Sequence, residues 1–297
     1  MRVLVSGSTG LIGSQLVPML ANRGHTVVRL VRRTPAAGED AVRWDPAAGV
    51  LAGRDLHGID AAVHLAGESI VRRWTRSGKG RIRDSRIEGT RLLCETLARL
   101  DPLPKVLVSM SAVGYYGDRG GEELTEESAP GSGFLAEVGR DWEGATGAAV
   151  RGGIRVVLTR LGMVLSPRGG ALARMLPVFR LGLGGRLGSG DQFISWISLE
   201  DALRGISFAL ETGSLSGPAN LVSPAPVTNR AFTAALARAL RRPALFPVPA
   251  VLLELVLGEM ARELLVASTK ARPRALLESG FTFRHTDIDD TLAALLR

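Results

Sequence analysis

The stretch VLVSGSTGLIGSQLV, residues 3–17, constrains this chain more than any other. A short apolar run gives way to glycines at 7, 10 and 13, and an amphipathic run follows, so the spacing reads as strand, turn and helix. Gly7 permits the tight turn, Gly10 lets the backbone approach a pyrophosphate, and Gly13 lets the helix lie close to the strand. The helix amino terminus then aims its free N–H groups at phosphate oxygens. Gly7, Thr9, Gly10, Leu11, Ile12 and Gly13 are therefore candidate dinucleotide-binding residues, the alternative being a turn with a purely structural role.

Apolar runs alternate with helix-period stretches through the first two-thirds of the chain. RVLVSG, TVVRLVR, AAVHLAG, KVLVSMS and IRVVLTRLGMVL are strand candidates, and SQLVPMLANRG, IEGTRLLCETLARL and LAEVGRDWEGATGAAV are helix candidates. This alternation predicts an α/β fold, a Rossmann-type doubly wound parallel sheet with helices on both faces and ligands at the strands' carboxyl ends. After Ser166 the chain becomes glycine-rich and broken, and QFISWISLED reads as a strand with Trp196 and a helix start where Asp201 caps or favours the dipole. From Ala225 it is proline-punctuated and helical, with AFTAALARAL, PAVLLELVLGEMARELL, PRALLESG and TLAALLR expected to pack on one another. The expected division is a nucleotide-binding domain over 1–165, completed by about 196–224, and a smaller, mainly helical C-terminal substrate region over 166–195 and 225–297.

The formal charge of +8 raises the question of nucleic acid. Its distribution answers against it, because arginines are scattered, lysines number three (Lys79, Lys105 and Lys270), and no helix-turn-helix, zinc pair or base-stacking aromatic pattern accompanies them. No apolar run approaches the eighteen or so residues of a spanning helix, and the amino terminus carries no charged leader. A cytoplasmic protein with no nucleic-acid or membrane partner and no metal is expected, monomer or homodimer being left open. Cys94, the single cysteine, sits in a helical pattern and reads as a buried structural thiol.

The second strand ends in RLVRRTP. An acidic residue there would bind the adenosine ribose hydroxyls, whereas a guanidinium forks onto a 2′-phosphate. Arg32 and Arg33 thus favour NADP(H) over NAD(H), the alternative being two solvated loop arginines. In DAAVHLAGESI, the small residues Ala66 and Gly67 let the cofactor pass close to the main chain, so the strand end at His64, Leu65, Ala66 and Gly67, with Glu68 beside it, is a candidate cofactor edge, His64 reading otherwise as a packed strand residue.

The set SGSTGLIG, VHLAG, SAVGYYG, TEESAPGSGFLAEVGRDWE, RLGMVLSPRGGAL, GDQFISWISLED and GPANLVSPAPVTN resembles the atypical extended short-chain dehydrogenase/reductases of the epimerase family protein group, which are NAD-dependent epimerase/dehydratase-like and carry a C-terminal domain of unknown function. The resemblance covers nearly the whole chain. It implies a Rossmann fold, a nicotinamide dinucleotide with NADP(H) favoured, and a small substrate region, but no particular substrate.

In the wider superfamily a Tyr-x-x-x-Lys pair exchanges the proton, the lysine bringing the tyrosine's pKa toward working pH. The two tyrosines here, Tyr115 and Tyr116, are followed four residues on by Arg119 and Gly120. On the helix that resembles the dyad's carrier, Phe134 stands in the tyrosine's place and Val138 in the lysine's. Ser111 matches the serine that bonds the substrate oxygen, with Ser109 on the same strand face toward the cofactor. Tyr115 and Tyr116 are candidates to deliver a proton from the loop side, or else pack a tight turn. The resemblance also places Arg160, Leu161, Gly162 and Met163 along the nicotinamide. Weaker candidates are Glu68, Glu137, Arg140, Asp141 and Glu143 for acid–base work, Arg72, Arg73 and Trp74 as a substrate edge, and Trp196 either stacked on substrate or packed in the core. The reading is an NADP(H)-dependent oxidoreductase or epimerase acting on an unidentified small oxygenated metabolite; the alternative is a non-catalytic NADP(H) sensor.

Overall fold

Nearly continuous burial along most of the amino-terminal apolar runs builds the sheet, and the computed structural model describes it within residues 1–296. Strands β1 (Arg2–Ser6), β2 (Thr26–Val31), β3 (Ala41–Asp45), β4 (Val50–Leu51), β5 (Ala61–His64) and β6 (Val106–Ala112) come first. They are followed by β7 (Glu123–Leu124), β8 (Arg155–Leu161), β9 (Met163–Leu165), β10 (Phe193–Ile194), β11 (Trp196–Ser198), β12 (Gly217–Leu221), β13 (Val227–Thr228) and β14 (Lys270–Ala271). The eight-stranded sheet has the order β12-β8-β6-β5-β1-β2-β3-β4. The chain thus moves outward from β1 through β2 and β3, then returns to β5 on the other side of β1, and the pairings among β2, β1, β5 and β6 are parallel. The order reverses between β1 and β5, the place where open α/β sheets bind ligands beyond their strand ends.

Helices α1 (Gly13–Asn22), α2 (Arg76–Leu97), α3 (Phe134–Gly144) and α4 (Gly147–Arg151) fall where the helical periodicity predicts, although α2 begins eleven residues before the expected IEGTRLL run, capped by Thr75. Later come α5 (Gly170–Arg180), α6 (Leu199–Glu211), α7 (Asn229–Leu240), α8 (Ala250–Leu257), α9 (Glu259–Ala261), α10 (Arg274–Glu278) and α11 (Ile288–Leu295), with a π-helical turn at Arg262–Val266. The run IRVVLTRLGMVL is not one strand. Gly162 divides it because its position leaves no room for a side chain: a Cβ there would lie 2.5 Å from the Ser195 carbonyl oxygen. Strand β3 escapes the sequence reading since AVRWD is short and lies between polar, proline-containing segments, yet Val42 and Trp44 are buried in regular alternation.

Two compact units result: Met1–Ser111, Val138–Thr159 and Ile206–Pro218 form the first, and Ala112–Glu137, Arg160–Gly205 and Ala219–Arg297 the second. These boundaries run differently from the expected 1–165 and 196–224, because the chain enters the second unit at the carboxyl ends of β6, β8 and β12. The first unit's core joins Leu4, Val28, Trp44, Leu93, Cys94 and Leu107. Burial pushes the Cys94 thiol up to about 12, the state of an inert packed thiol. In the second unit Trp196 is wholly buried among Leu172, Phe232 and Leu292 and donates from Nε1 to the Ala225 carbonyl at 2.8 Å. It therefore packs in the core and does not stack on substrate.

The tail helices α7 and α11 share that core, but α8 buries no residue, contrary to the expectation that all the tail segments pack on one another. Asp201 stands in the first turn of α6, where its charge favours the dipole as expected, but it is not the cap. Ser198 caps α6 by accepting the Asp201 N–H at 3.1 Å, and the wholly buried Asp201 carboxylate instead accepts from the backbone of His285 at 2.8 Å and from the Arg204 guanidinium at 2.6 Å. Asp201→Ala leaves these donors without their acceptor and is expected to lower stability by about 3–5 kcal/mol. Urea unfolding of the variant measures this, and a loss under about 1 kcal/mol would show that solvent replaces the carboxylate.

Candidate cofactor and active site

The Gly7 turn is built as the spacing requires. Gly7 has φ +67°, and a Cβ on it would stand 2.7 Å from the Leu65 carbonyl carbon; one on Gly13 would stand 2.2 Å from the Gly7 oxygen. Gly10 is different, since a Cβ there would meet only the Gly7 oxygen, at 3.4 Å. Two of the glycines thus serve the protein's own packing, and the third leaves space beside an α1 amino terminus that has no side-chain cap and no acidic residue in its first turn. This space and the uncapped terminus fit a pyrophosphate.

Ser6, at the end of β1, organises the facing strand end. Its Oγ accepts the backbone N–H groups of Leu65 and Ala66 at 3.1 and 3.2 Å, which leaves its own proton for His64 Nδ1 at 2.7 Å. That assignment puts the imidazole proton on Nε2, which donates to Thr90 Oγ1 at 3.0 Å, and Trp142 Nε1 donates to the same hydroxyl at 2.9 Å. Burial lowers the His64 pKa to about 4, so the ring is neutral at pH 7. His64 is wholly enclosed; it braces the 65–67 backbone from within and presents no face to a cofactor.

Arg86 completes this loop. It donates to the carbonyls of Glu68 and Ile82, both at 3.0 Å, lies over the Trp142 ring, and its guanidinium would touch a Cβ on Gly67 at 3.4 Å. Burial lowers its pKa to about 10. Sequence reasoning passed over Arg86, Thr90 and Ser6, and the one available signal was small or polar residues within otherwise apolar faces. Glu68 pairs with Arg72, and the Trp74 indole donates to Ile70 at 2.9 Å, so this pair and Trp74 brace their own loop.

At the end of β2, Arg33 forks onto Glu39 at 2.8 and 2.5 Å, and Arg29 joins the same carboxylate at 2.7 Å. Arg33's hydrogen bond, foremost, holds the Glu39 carboxyl down at about 2. Arg32 is exposed, and among the described residues no carboxylate pairs with it.

On β6, Ser111 is buried and donates to Glu143 Oε1 of α3 at 2.7 Å. Ser109, on the same strand face, is buried with no partner for its hydroxyl. The two tyrosines diverge. Tyr116 is fully buried, donates to Asn220 Oδ1 at 2.7 Å and accepts from Arg160 at 2.9 Å, and burial pushes its pKa up to about 12. It is a core residue and not a proton donor to substrate. Tyr115 is half-buried, its ring edge-on to Tyr116 and covered by the Arg160 guanidinium at 3.6 Å. Its hydroxyl has no partner among the described residues. Arg160, buried between the tyrosines and bonded to the Glu126 carbonyl at 3.2 Å, faces the second unit's core, and Met163 packs beside Trp196 in its cluster. The Arg160 side chain is therefore not free to line a cofactor, while Leu161, Gly162 and Met163 remain half-exposed.

Phe134 and Val138 are both buried on α3. The first N–H groups of that helix, at Phe134 and Leu135, each donate at 2.8 Å to the Glu263 carboxylate. Glu263 lines a cavity of about 450 Å³ within the second unit, together with Asp118, Glu259, Arg262, Ser132 and Thr269. Of the remaining acid–base candidates, Asp141 pairs with Arg83 at 2.7 Å and Glu137 and Arg140 are exposed. No group of three or more potential metal ligands occurs among the described residues.

A doubly wound sheet whose first strand leads through a glycine turn to an uncapped helix amino terminus defines a Rossmann-type nucleotide-binding fold. Residues 3–222 match the NAD dependent epimerase/dehydratase family and 248–295 a domain of unknown function, DUF1731. The chain belongs to this epimerase family. It is 47% identical over 291 residues to "Epimerase family protein Mb2239" of Mycobacterium bovis, covering 98% of this chain and 96% of that one. The crystal structure of human epimerase family protein SDR39U1 with NADPH superposes with a TM-score of 0.89 at 34% identity, over 100% of this chain and 99% of that one. A structure described as the nucleoside-diphosphate sugar epimerase from Corynebacterium glutamicum superposes at 0.82 with 38% identity, over 100% of this chain and 58% of that one.

The neutral, enclosed His64 makes stability depend on pH in a stated direction. Its folded pKa, about 4, lies below the usual 6.5, so its contribution is complete above pH 6.5 and is lost as pH falls through 4, by about 3 kcal/mol in all. His64→Gln should flatten this segment of the stability–pH curve. An unchanged slope between pH 6.5 and 4 would mean that other groups set it.

Proposed function

We propose that this protein is an NADP(H)-dependent oxidoreductase of a small oxygenated metabolite in which a serine–glutamate pair stands in for the tyrosine–lysine dyad. The observation that carries this reading is the 2.7 Å hydrogen bond from Ser111 to Glu143 at the carboxyl end of β6. Gly10 and the α1 terminus hold the pyrophosphate, the unpaired Arg32 takes the 2′-phosphate, and the unpartnered Ser109 hydroxyl is a donor toward the cofactor. NADPH bound to the human relative supports a cofactor of this type. When bound, the nicotinamide exchanges hydride with the substrate carbon.

The chain's own part is the proton. Ser111 Oγ keeps lone pairs free while its proton faces Glu143, so it can take the proton of a substrate hydroxyl as its own passes to the carboxylate, and the reverse transfer protonates a carbonyl oxygen. Tyr115, whose hydroxyl is unclaimed, is a second donor from the loop side. In the second unit, Asp118, Glu259 and Glu263 against Arg262 give the cavity an acidic lining. Such a lining favours a neutral or cationic polar ligand in that cavity. The second reading, an NADP(H) sensor without turnover, is favoured by one observation: Ser111 is itself buried, and Phe134 and Val138 offer no proton path.

Arg32→Ala is expected to weaken NADPH binding about tenfold or more while sparing NADH, and Arg33→Ala to do so less, since Glu39 already holds that fork. Equal losses for both cofactors would remove the 2′-phosphate assignment. Turnover is read by incubating the protein with NADPH deuterated on either face and a metabolite extract, with Gly10→Asp as the cofactor-blind control. A labelled metabolite is expected, its label falling about a hundredfold in Glu143→Gln with NADPH affinity retained. Absence of label despite NADPH binding would favour the sensor.

A further inference from the structure

Helix α8 breaks the rule that governs the other helices. Seven of the eight residues in AVLLELVL are apolar, and none is buried. An apolar helix of this kind belongs inside a protein or against something that covers it. Val251 is 79% exposed and Leu255 81%. The exposure is shared by the neighbouring segment: residues 183–188 run beside 244–250, joined by the Leu183–Ala244 and Leu187–Val248 bridges and the Phe246 N–H to Gly184 carbonyl bond at 3.2 Å. Leu181, Leu245 and Phe246 add their exposed side chains to those of α8, Leu245 at 75%. Ten of the sixteen exposed large hydrophobic residues lie between 178 and 183 or between 245 and 257, so the patch is a concentration and not the usual scatter.

The charge around it selects the occupant. Segments 174–188 and 241–258 hold five arginines and one acid, Glu254. Arg180, Arg241 and Arg242 are exposed, and among the described residues no carboxylate pairs with them. A second copy seated on this face by a two-fold axis would bring the same arginines toward each other. An anionic lipid surface instead matches both parts, taking the leucines and Phe246 at the headgroup–acyl boundary and the guanidinium groups among the phosphates. Eight residues rise about 12 Å, far less than the roughly 30 Å hydrocarbon core, so the helix lies in the interface without spanning.

We propose that α8 and the 181–183 and 245–246 segments form a docking surface for anionic phospholipid membranes. The expectation of no membrane partner followed from the lack of a spanning segment, which an interfacial helix does not need. The surface is independent of the oxidoreductase reading.

The test is flotation of the full-length protein with vesicles of phosphatidylcholine alone or with about one-quarter phosphatidylglycerol. Binding is expected to the phosphatidylglycerol vesicles, weakening with salt. Val251→Glu with Leu255→Glu, and separately Arg241→Glu with Arg242→Glu, should each lower partitioning about tenfold or more, with NADPH binding and circular dichroism unchanged as checks on folding. Equal binding to both vesicles, or to neither, would overturn the proposal. A concentration-dependent dimer in sedimentation velocity that Val251→Glu with Leu255→Glu dissolves, without vesicle binding, would assign the face to a second copy.

Discussion

The close approach of Gly7 to the Leu65–Ala66 backbone is the contact on which the nucleotide half depends. Left-handed Gly7 follows β1 so closely against the residues after β5 that a Cβ on it would stand 2.7 Å from the Leu65 carbonyl carbon. Ser6 then spends its hydroxyl on the two amides of the facing strand and on His64. Through His64 and Thr90 the same chain of hydrogen bonds reaches α2 and, by Trp142, α3. The side chains of Ser6, His64, Thr90 and Trp142 are all buried and hydrogen-bonded to one another, so the network favours one arrangement of the strand ends at the switch point. Gly10 is left open on one side, since a Cβ there would meet only the Gly7 oxygen, at 3.4 Å, while the two flanking glycines absorb the packing demand.

The second unit has a polar centre of a different kind. Arg160 is buried between two tyrosines, bonded to one hydroxyl and stacked on the other ring. A desolvated guanidinium needs this enclosure of acceptors and π-faces. The arrangement explains why adjacent tyrosines at a strand end need not both be chemical: Tyr116, a neutral phenol, accepts a hydrogen bond from Arg160, and Tyr115 alone keeps an unclaimed hydroxyl. It also moves the interest from tyrosine to Ser111 and Glu143, whose contact joins a strand to a helix from a different part of the chain.

Charge and apolarity are likewise divided by place. The wholly apolar clusters close over Leu4, Trp44 and Leu107 in one unit and over Trp196 and Phe232 in the other. Helix α8, as apolar as those cores, stays outside both. The same chemistry that stabilises the interior therefore becomes, on α8, a demand for a partner, and the surrounding arginines decide its sign.

What the sequence determined by itself was the repeating pattern and its punctuation. The glycines at 7, 10 and 13, the strands at Arg2–Ser6, Thr26–Val31, Ala61–His64 and Val106–Ala112, and the lack of a Tyr-x-x-x-Lys pair are local facts, readable because backbone geometry and side-chain period act over neighbouring residues. AVRWD was too short a run to announce a strand. Only the tertiary structure separated Tyr115 from Tyr116, turned His64 and Arg160 inward, claimed Asp201 for a distant loop, and set Glu143 against Ser111, 32 positions away. Burial and hydrogen-bond partnership are decided by residues far apart in the chain, and a linear pattern carries no record of which of two similar side chains will face the core.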